Sequence, residues 1–193
     1  MNDSLSCNND STVNVTDDRE ARSKFWIAAY TRPKSEKKAA TELAKNPGIG
    51  TYAPTQIVIK QWSDRKKKVE VVVIPMVIFA EVSTDEDVLT IKKHPLILKV
   101  LTLPGRKMPT QIPSKQIEQL KFMLSESEEP VEFVQGNFKV SDEVKVVRGH
   151  LAGLEGVVQR TSDGQSFIII TIDLLGGAKA SVDPSDLELL QTK

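Results

Sequence analysis

The apolar positions change period several times along the chain, and each change marks a predicted element. Phe25-Trp26-Ile27-Ala28-Ala29-Tyr30 is a continuous apolar run, which predicts a strand. Pro33 holds Arg32 extended and suits the opening of a helix. From Ser35 to Lys45, Ala39, Ala40, Leu43 and Ala44 form a narrow stripe at helical spacing, and Asn46-Pro47-Gly48 ends it. Residues 56–62 predict a strand, Ser63-Asp64-Arg65-Lys66 a turn, and 68–74 a second strand: a hairpin with a basic tip. Pro75 breaks the run, and 77–82 resumes as a core strand. Ser83 or Thr84 caps a short helix through Lys92, with Asp85, Glu86 and Asp87 in the first turn, where the helix dipole favours anions. Residues 96–103 predict another strand. Pro113-Ser114 opens a third helix, with Ile117, Leu120, Phe122, Met123 and Leu124 as its apolar side.

Ser125-Glu126-Ser127-Glu128-Glu129-Pro130 interrupts this pattern as an acidic, proline-ended linker. Beyond it, short β-like runs alternate with glycine turns at 143–147, 155–160, 166–172, 178–182 and 187–190. Five short strands so closely spaced predict a small barrel. The earlier order, β-α-β-β-β-α-β-α, predicts an α+β sandwich in which helices cover an antiparallel sheet. The expected organisation is a disordered tail at 1–23, a first domain at 24–124, a linker at 125–135 and a barrel at 136–193. The tail is rich in Asn, Ser, Thr and Asp, and its few large apolar groups cannot offset the entropy of ordering.

Charge changes this picture. The chain has 193 residues with 26 basic and 26 acidic side chains, so a uniformly basic coat is excluded. The balance is uneven, however: residues 24–123 carry 18 basic groups against 9 acidic ones, while the tail, linker and last segment are all net acidic. The middle segment therefore prefers a polyanion or an acidic surface. Cys7 is the single cysteine, so no internal disulfide forms, which suits a reducing compartment. No run approaches the ~18 apolar residues that span a bilayer, and 1–20 lacks the basic and apolar regions of a signal peptide. The expectation is a soluble cytoplasmic protein.

Chemistry points away from an enzyme. Two histidines and one cysteine do not make a common zinc set. His94 and His150 lack a carboxylate partner at helical spacing, and no phosphate-cradling glycine motif is present. No catalytic residue, metal or cofactor is expected. Two basic clusters remain. Arg32, Lys34, Lys37 and Lys38 surround the start of the first helix, where cations oppose the dipole but also build an anion site. Arg65-Lys66-Lys67-Lys68 occupies the hairpin, where lysines either guard a strand edge or meet a phosphate backbone. Trp62 beside them either stacks on a base or anchors the hairpin across its strands.

The stretch 143–158, EVKVVRGHLAGLEGVV, resembles a KOW motif, with Gly149, Gly153 and Gly156 at its turns. The first domain resembles the N-terminal domain of NusG-type transcription elongation factors. The matching pieces are Trp26 to Tyr30, Lys34-x-Glu36-Lys37-Lys38, Tyr52-x-Pro54, Pro75-x-x-x-Phe79, His94-Pro95-Leu96 and Gln111-Ile112-Pro113. Trp62-Ser63-Asp64-Arg65 with Lys68-Val69 is similar to the specialised UpxY-like branch, antiterminators of capsular polysaccharide operons.

The resemblance implies a regulator that binds the clamp helices of the largest RNA polymerase subunit through an apolar patch, here Tyr30, Ile74, Val77 and Leu96. It implies that Arg32, Lys34, Lys37, Arg65, Lys66 and His94 face the non-template DNA strand. It also implies that an SH3-like KOW barrel recruits a small-subunit ribosomal protein or Rho. The family more often has an aromatic at Val77, and Gly or Asn at Met76. A monomer without a membrane partner is expected. One specialised member refolds its KOW region into a helical hairpin; the glycines and β-branched Ile168-Ile169-Ile170-Thr171-Ile172 oppose that here. The alternative function is a ribosome-associated or RNA-binding KOW protein that does not act on polymerase.

Overall fold

The computed structural model describes residues 24–62, 64–134, 143–160 and 165–190. The tail expected at 1–23, with Cys7, lies outside the described residues. Strands β1 (Phe25–Thr31), β2 (Gly50–Tyr52), β5 (Val77–Val82) and β6 (Ile97–Val100) form an antiparallel sheet in the order β2-β5-β1-β6. Helices α1 (Glu36–Leu43) and α2 (Asp85–Lys93) cover one face and α3 (Ser114–Glu126) the other.

Two-sided burial explains why β1 is apolar from Phe25 to Tyr30. Ile27 and Ala29 face Ala39 and Leu43 of α1 and Val88 and Ile91 of α2, while Trp26 and Ala28 face Ile117, Leu120 and Met123 of α3. Central β5 divides in the same way, with Ile78, Ala80 and Val82 on the first side and Val77 and Phe79 on the second.

Local chemistry fixes the ends of the elements. Of the two expected caps for α2, Thr84 holds the position: its hydroxyl accepts from the Asp87 N–H, and the Asp87 carboxylate accepts from the Thr84 N–H. On α3, Phe122 is exposed rather than part of the apolar side. It lies five residues beyond Ile117, well round the helix from the buried stripe of Ile117, Leu120 and Leu124. Strand β6 stops at Val100, short of the expected 103, because the chain turns out into a loop closed by a bridge between Thr102 and Pro109.

Strands β3 (Thr55–Gln61) and β4 (Lys66–Val72) pair only with each other. This hairpin starts two residues earlier on β4 than expected and ends at Val72, because Ile74 leaves the strand for the core.

A second, six-stranded antiparallel sheet follows. It comprises β7 (Glu132–Val134), β8 (Glu143–Val146), β9 (Glu155–Arg160), β10 (Ser166–Ile172), β11 (Gly176–Val182) and β12 (Leu187–Leu189), ordered β12-β8-β9-β10-β11-β7. Five of these are the expected runs, and no α-helix interrupts them among the described residues. The sixth, β7, lies within the stretch expected to be linker and pairs with β11 through Phe133 and Ala178. Ile168, Ile170 and Ile172 of β10 point into the core of this sheet with Val144, Val146 and Ala180.

Gly149 and Gly153 occupy left-handed turns (φ 78° and 94°) before β9. Gly156 is required by proximity instead: a Cβ there would stand 2.5 Å from the Ile169 carbonyl oxygen. Gly156→Ala is expected to destabilise the chain by about 1–3 kcal/mol, the scale of overpacking a tight site. Urea unfolding followed by circular dichroism measures this; an unchanged midpoint would contradict the close approach.

Candidate nucleic-acid interface

The start of α1 and the hairpin come together at Lys37 and Glu70. Lys37 of α1 forms an ion pair with Glu70 of β4. This bond, with a smaller contribution from Thr55, holds the Glu70 carboxyl below the usual carboxylate range. Lys37 is therefore partly neutralised. Arg32 donates from Nε to the Pro95 carbonyl at 3.1 Å, which braces the β1 exit against the α2–β6 turn. His94 is tied down as well: its Nδ1 accepts the Leu96 N–H at 3.3 Å, and its Nε2 lies 3.3 Å from Glu42. Arg65 stands 3.8 Å from Asp64, both well exposed. Lys34 and Lys66 are exposed and have no ion pair among the described residues.

The hairpin itself is built against its own electrostatics. Lys60 and Lys67 are directly opposite each other, and Gln61 opposes Lys66. Like charges across a strand pair are destabilising, so a ladder with facing lysines favours an anion beside it. Lys67 also lies 5.4 Å from the centre of the Trp62 ring. This arrangement places the indole alongside the cation and leaves it half exposed. The opposite face carries Ile57 and Ile59, both about two-thirds exposed, between Glu70 and Lys68. Sequence reading missed these two; their alternation with Gln56, Val58 and Lys60 was the available signal.

The expected apolar patch is not assembled as a surface. Ile74 and Val77 are core residues at 2% and 3% exposure, and only Tyr30 forms a half-buried rim above them. Leu96 packs into the cluster on the other face of the sheet, so it does not join them. The burial has a local cause. Glu36 is buried at the start of α1, and its Oε1 accepts the Met76 N–H at 2.7 Å, while the Met76 carbonyl accepts from the Thr31 N–H. These bonds hold the Pro75-Met76 turn inward with Met76 at φ 61°, a conformation natural to Gly or Asn.

Next to Tyr30, an aromatic group not expected from the sequence comes together. Tyr52 stacks on Phe79 with centroids 6.3 Å apart, and Lys121 of α3 lies 4.6 Å from the Trp26 ring and 5.1 Å from that of Tyr52. Burial pushes the Tyr52 phenol from 10.0 up to about 12.

The family model described as "Transcription termination factor nusG" matches residues 24–121, and the chain belongs to the NusG family. It is similar to the Thermotoga maritima NusG structure titled "Domain interaction in Thermotoga maritima NusG", with 20% identity, 88% of this chain and 98% of that chain covered, and a TM-score of 0.49. It is also similar to the "MjSpt4:Spt5 complex conformation B", at 16% identity, with 86% and 97% covered and a TM-score of 0.28. No curated protein matches the chain.

A raised phenol pKa keeps Tyr52 neutral after an unfolded tyrosine would have ionised, so the fold loses stability as pH rises from 10 through about 12. The chain has two tyrosines, so phenolate absorbance is expected to show a late step that disappears in Tyr52→Phe. An unaltered titration in that variant would contradict the burial of Tyr52.

Proposed function

We propose that this chain is a non-enzymatic transcription antitermination or elongation regulator that binds RNA polymerase and the non-template DNA strand, suppressing pausing and termination. Its place in the NusG family, a family of transcription factors, supports the class. One observation carries the nucleic-acid part: a hairpin standing apart from the main sheet, with Lys60 facing Lys67 on one face and Lys66 and Lys68 on the other. An element with facing cations and little packing gains from a phosphate backbone that neutralises it.

In this reading the polymerase clamp helices meet the chain at Tyr30, with Ile74 and Val77 as the apolar floor beneath. Lys34, Arg65 and Lys66 contact DNA directly. Arg32, Lys37 and His94 brace the surrounding elements, each being engaged within the chain. The second sheet acts as a KOW barrel that recruits a small-subunit ribosomal protein or Rho. The WSDR sequence at 62–65 supports a capsular or exopolysaccharide operon as the target.

In vitro transcription with purified polymerase tests this. The wild-type chain is expected to shorten pauses and increase read-through, and the triple reversal of Arg65, Lys66 and Lys67 to Glu is expected to lose most of that effect. On a forked DNA scaffold the reversal should also flatten the salt dependence, by roughly 0.7–0.9 in the log–log slope for each phosphate that the hairpin no longer neutralises. Pausing left unchanged by the wild-type chain on every template would overturn the reading, and an identical slope would remove the hairpin from the DNA surface.

A further inference from the structure

Gln56 is a buried polar side chain at the root of the basic hairpin, and its whole amide is spent on the chain that leaves α3. Its Nε2 donates to the carbonyls of Ser127 (3.3 Å) and Glu129 (3.0 Å), and its Oε1 accepts the Val131 N–H (2.8 Å). Gln56 is 5% exposed, so these bonds form where water does not compete, and loss of the amide strands three backbone groups.

The bonds fall on a short span. Only residues 127–131 separate the end of α3 at Glu126 from β7 at Glu132, and β7 is already part of the second sheet. Val131 is buried within the same cluster as Ile117 and Leu124. Gln56 therefore fixes the strap by which the second sheet is hung.

The second sheet is also seated on α3, at a joint: apolar residues of the two share one buried cluster, and a set of polar bonds lies beside it. Gln116 and Asp173 exchange two bonds: Nε2 to Oδ1, and the Asp173 N–H to Oε1, both 3.1 Å. Gln119 donates to the Glu155 carbonyl at 3.1 Å, and Lys115 pairs with the Glu155 carboxylate at 2.7 Å. The hairpin, meanwhile, makes no ladder bonds to the four-stranded sheet. Its orientation rests on the exposed Lys37–Glu70 pair, on packing against α3, and on Gln56. An exposed ion pair contributes little, so the buried amide is the strongest polar tie between hairpin and strap.

We propose that Gln56 is a latch joining the hairpin to the strap, so that the orientation of the basic hairpin and the seating of the second sheet on α3 form one coupled equilibrium. The regulatory consequence rests on the nucleic-acid reading of the hairpin. By linkage, whatever lifts the second sheet from α3 changes the affinity of the hairpin for a polyanion, and a polyanion on the hairpin changes the seating by the same factor. The latch needs no refolding of either sheet. It requires that the joint, with the apolar contacts beside it, open while each sheet keeps its own interior closed.

Amide hydrogen exchange on the full chain tests the latch, with Gln56→Leu, which keeps the volume and removes the amide, and separately with Lys115→Ala/Gln116→Ala. Gln56→Leu is expected to speed exchange of the Val131 amide at least tenfold and that of Asp173, a reporter of the distant joint, at least threefold. The amides of β1 and β5 should keep their protection, showing that the fold persists. The joint variant is expected to speed Val131 in turn. If Gln56→Leu alters Val131 but leaves Asp173 unchanged, Gln56 is a local brace and the proposal falls. If Gln56→Leu does not fold, the joint variant alone decides, because an unchanged Val131 amide there also overturns the coupling.

Binding to a forked DNA scaffold then tests the consequence. The joint variant should shift affinity at least threefold in the wild-type background and leave it unchanged in the Gln56→Leu background. Equal shifts in both backgrounds, or none in either, would overturn the regulation. Absence of DNA binding by every variant would overturn the nucleic-acid reading, while the exchange result still decides the latch.

Discussion

The structure depends on one helix serving two sheets. The 13 residues of α3 bury Ile117, Leu120, Met123 and Leu124 on the four-stranded sheet, and the Lys115, Gln116 and Gln119 side of its first turns holds the second sheet. The two sides differ in strength. Burying a large aliphatic side chain is worth roughly 1.5–3 kcal/mol, whereas an ordinary hydrogen bond nets about 0.5–1.5 kcal/mol. The apolar cluster also runs on from α3 into the second sheet, so the polar bonds of Lys115, Gln116 and Gln119 flank a buried contact rather than make it alone. One helix thus carries contacts to both sheets, mostly apolar to the first and both apolar and polar to the second.

The same division of strengths accounts for the hairpin. Strands β1 and β5 are covered on both faces by the core, and among their large side chains Tyr30 keeps an accessible edge. The hairpin is left outside that arrangement, with Ile57 and Ile59 uncovered on one face and Lys60 and Lys67 opposed on the other. Its register is set by its own ladder from Thr55↔Val72 to Gln61↔Lys66. Its attitude towards the rest is set at the root, by Gln56 and by Lys37–Glu70. An element that owes its position to a few bonds at its base can be re-aimed without unfolding.

Much of this was legible in the chain. The apolar run at 25–30, the turn-separated hairpin and the glycine-spaced strands after 143 gave their elements because local period and turn chemistry agree with the fold there. What could not be read depended on tertiary context. Phe122 is apolar but sits off the buried stripe, and in a run as rich as Phe122-Met123-Leu124 only the packing partner decides which residue turns inward. Strand β7 was hidden because Glu132-Phe133-Val134 follows an acidic run and pairs with a strand more than 40 residues away. Ile74 and Val77 were expected on a surface, but the Glu36 carboxylate draws the Pro75-Met76 turn inward and submerges them. Leu96 shares a motif with His94 and Pro95 yet belongs to the opposite face of the sheet, which a motif cannot reveal. The Gln56 latch had no sequence cue at all, since a glutamine between Thr55 and Ile57 reads as the polar half of an alternating strand.

The central claim is that the hairpin lies on nucleic acid while the chain rides a transcribing polymerase. A photo-crosslinking residue at Lys66, in a stalled elongation complex with each strand labelled separately, tests it most directly. The account predicts adducts with the non-template strand, abolished when the complex is formed with the charge-reversed hairpin. Adducts with RNA or protein alone, at equal yield with and without the DNA fork, would contradict it.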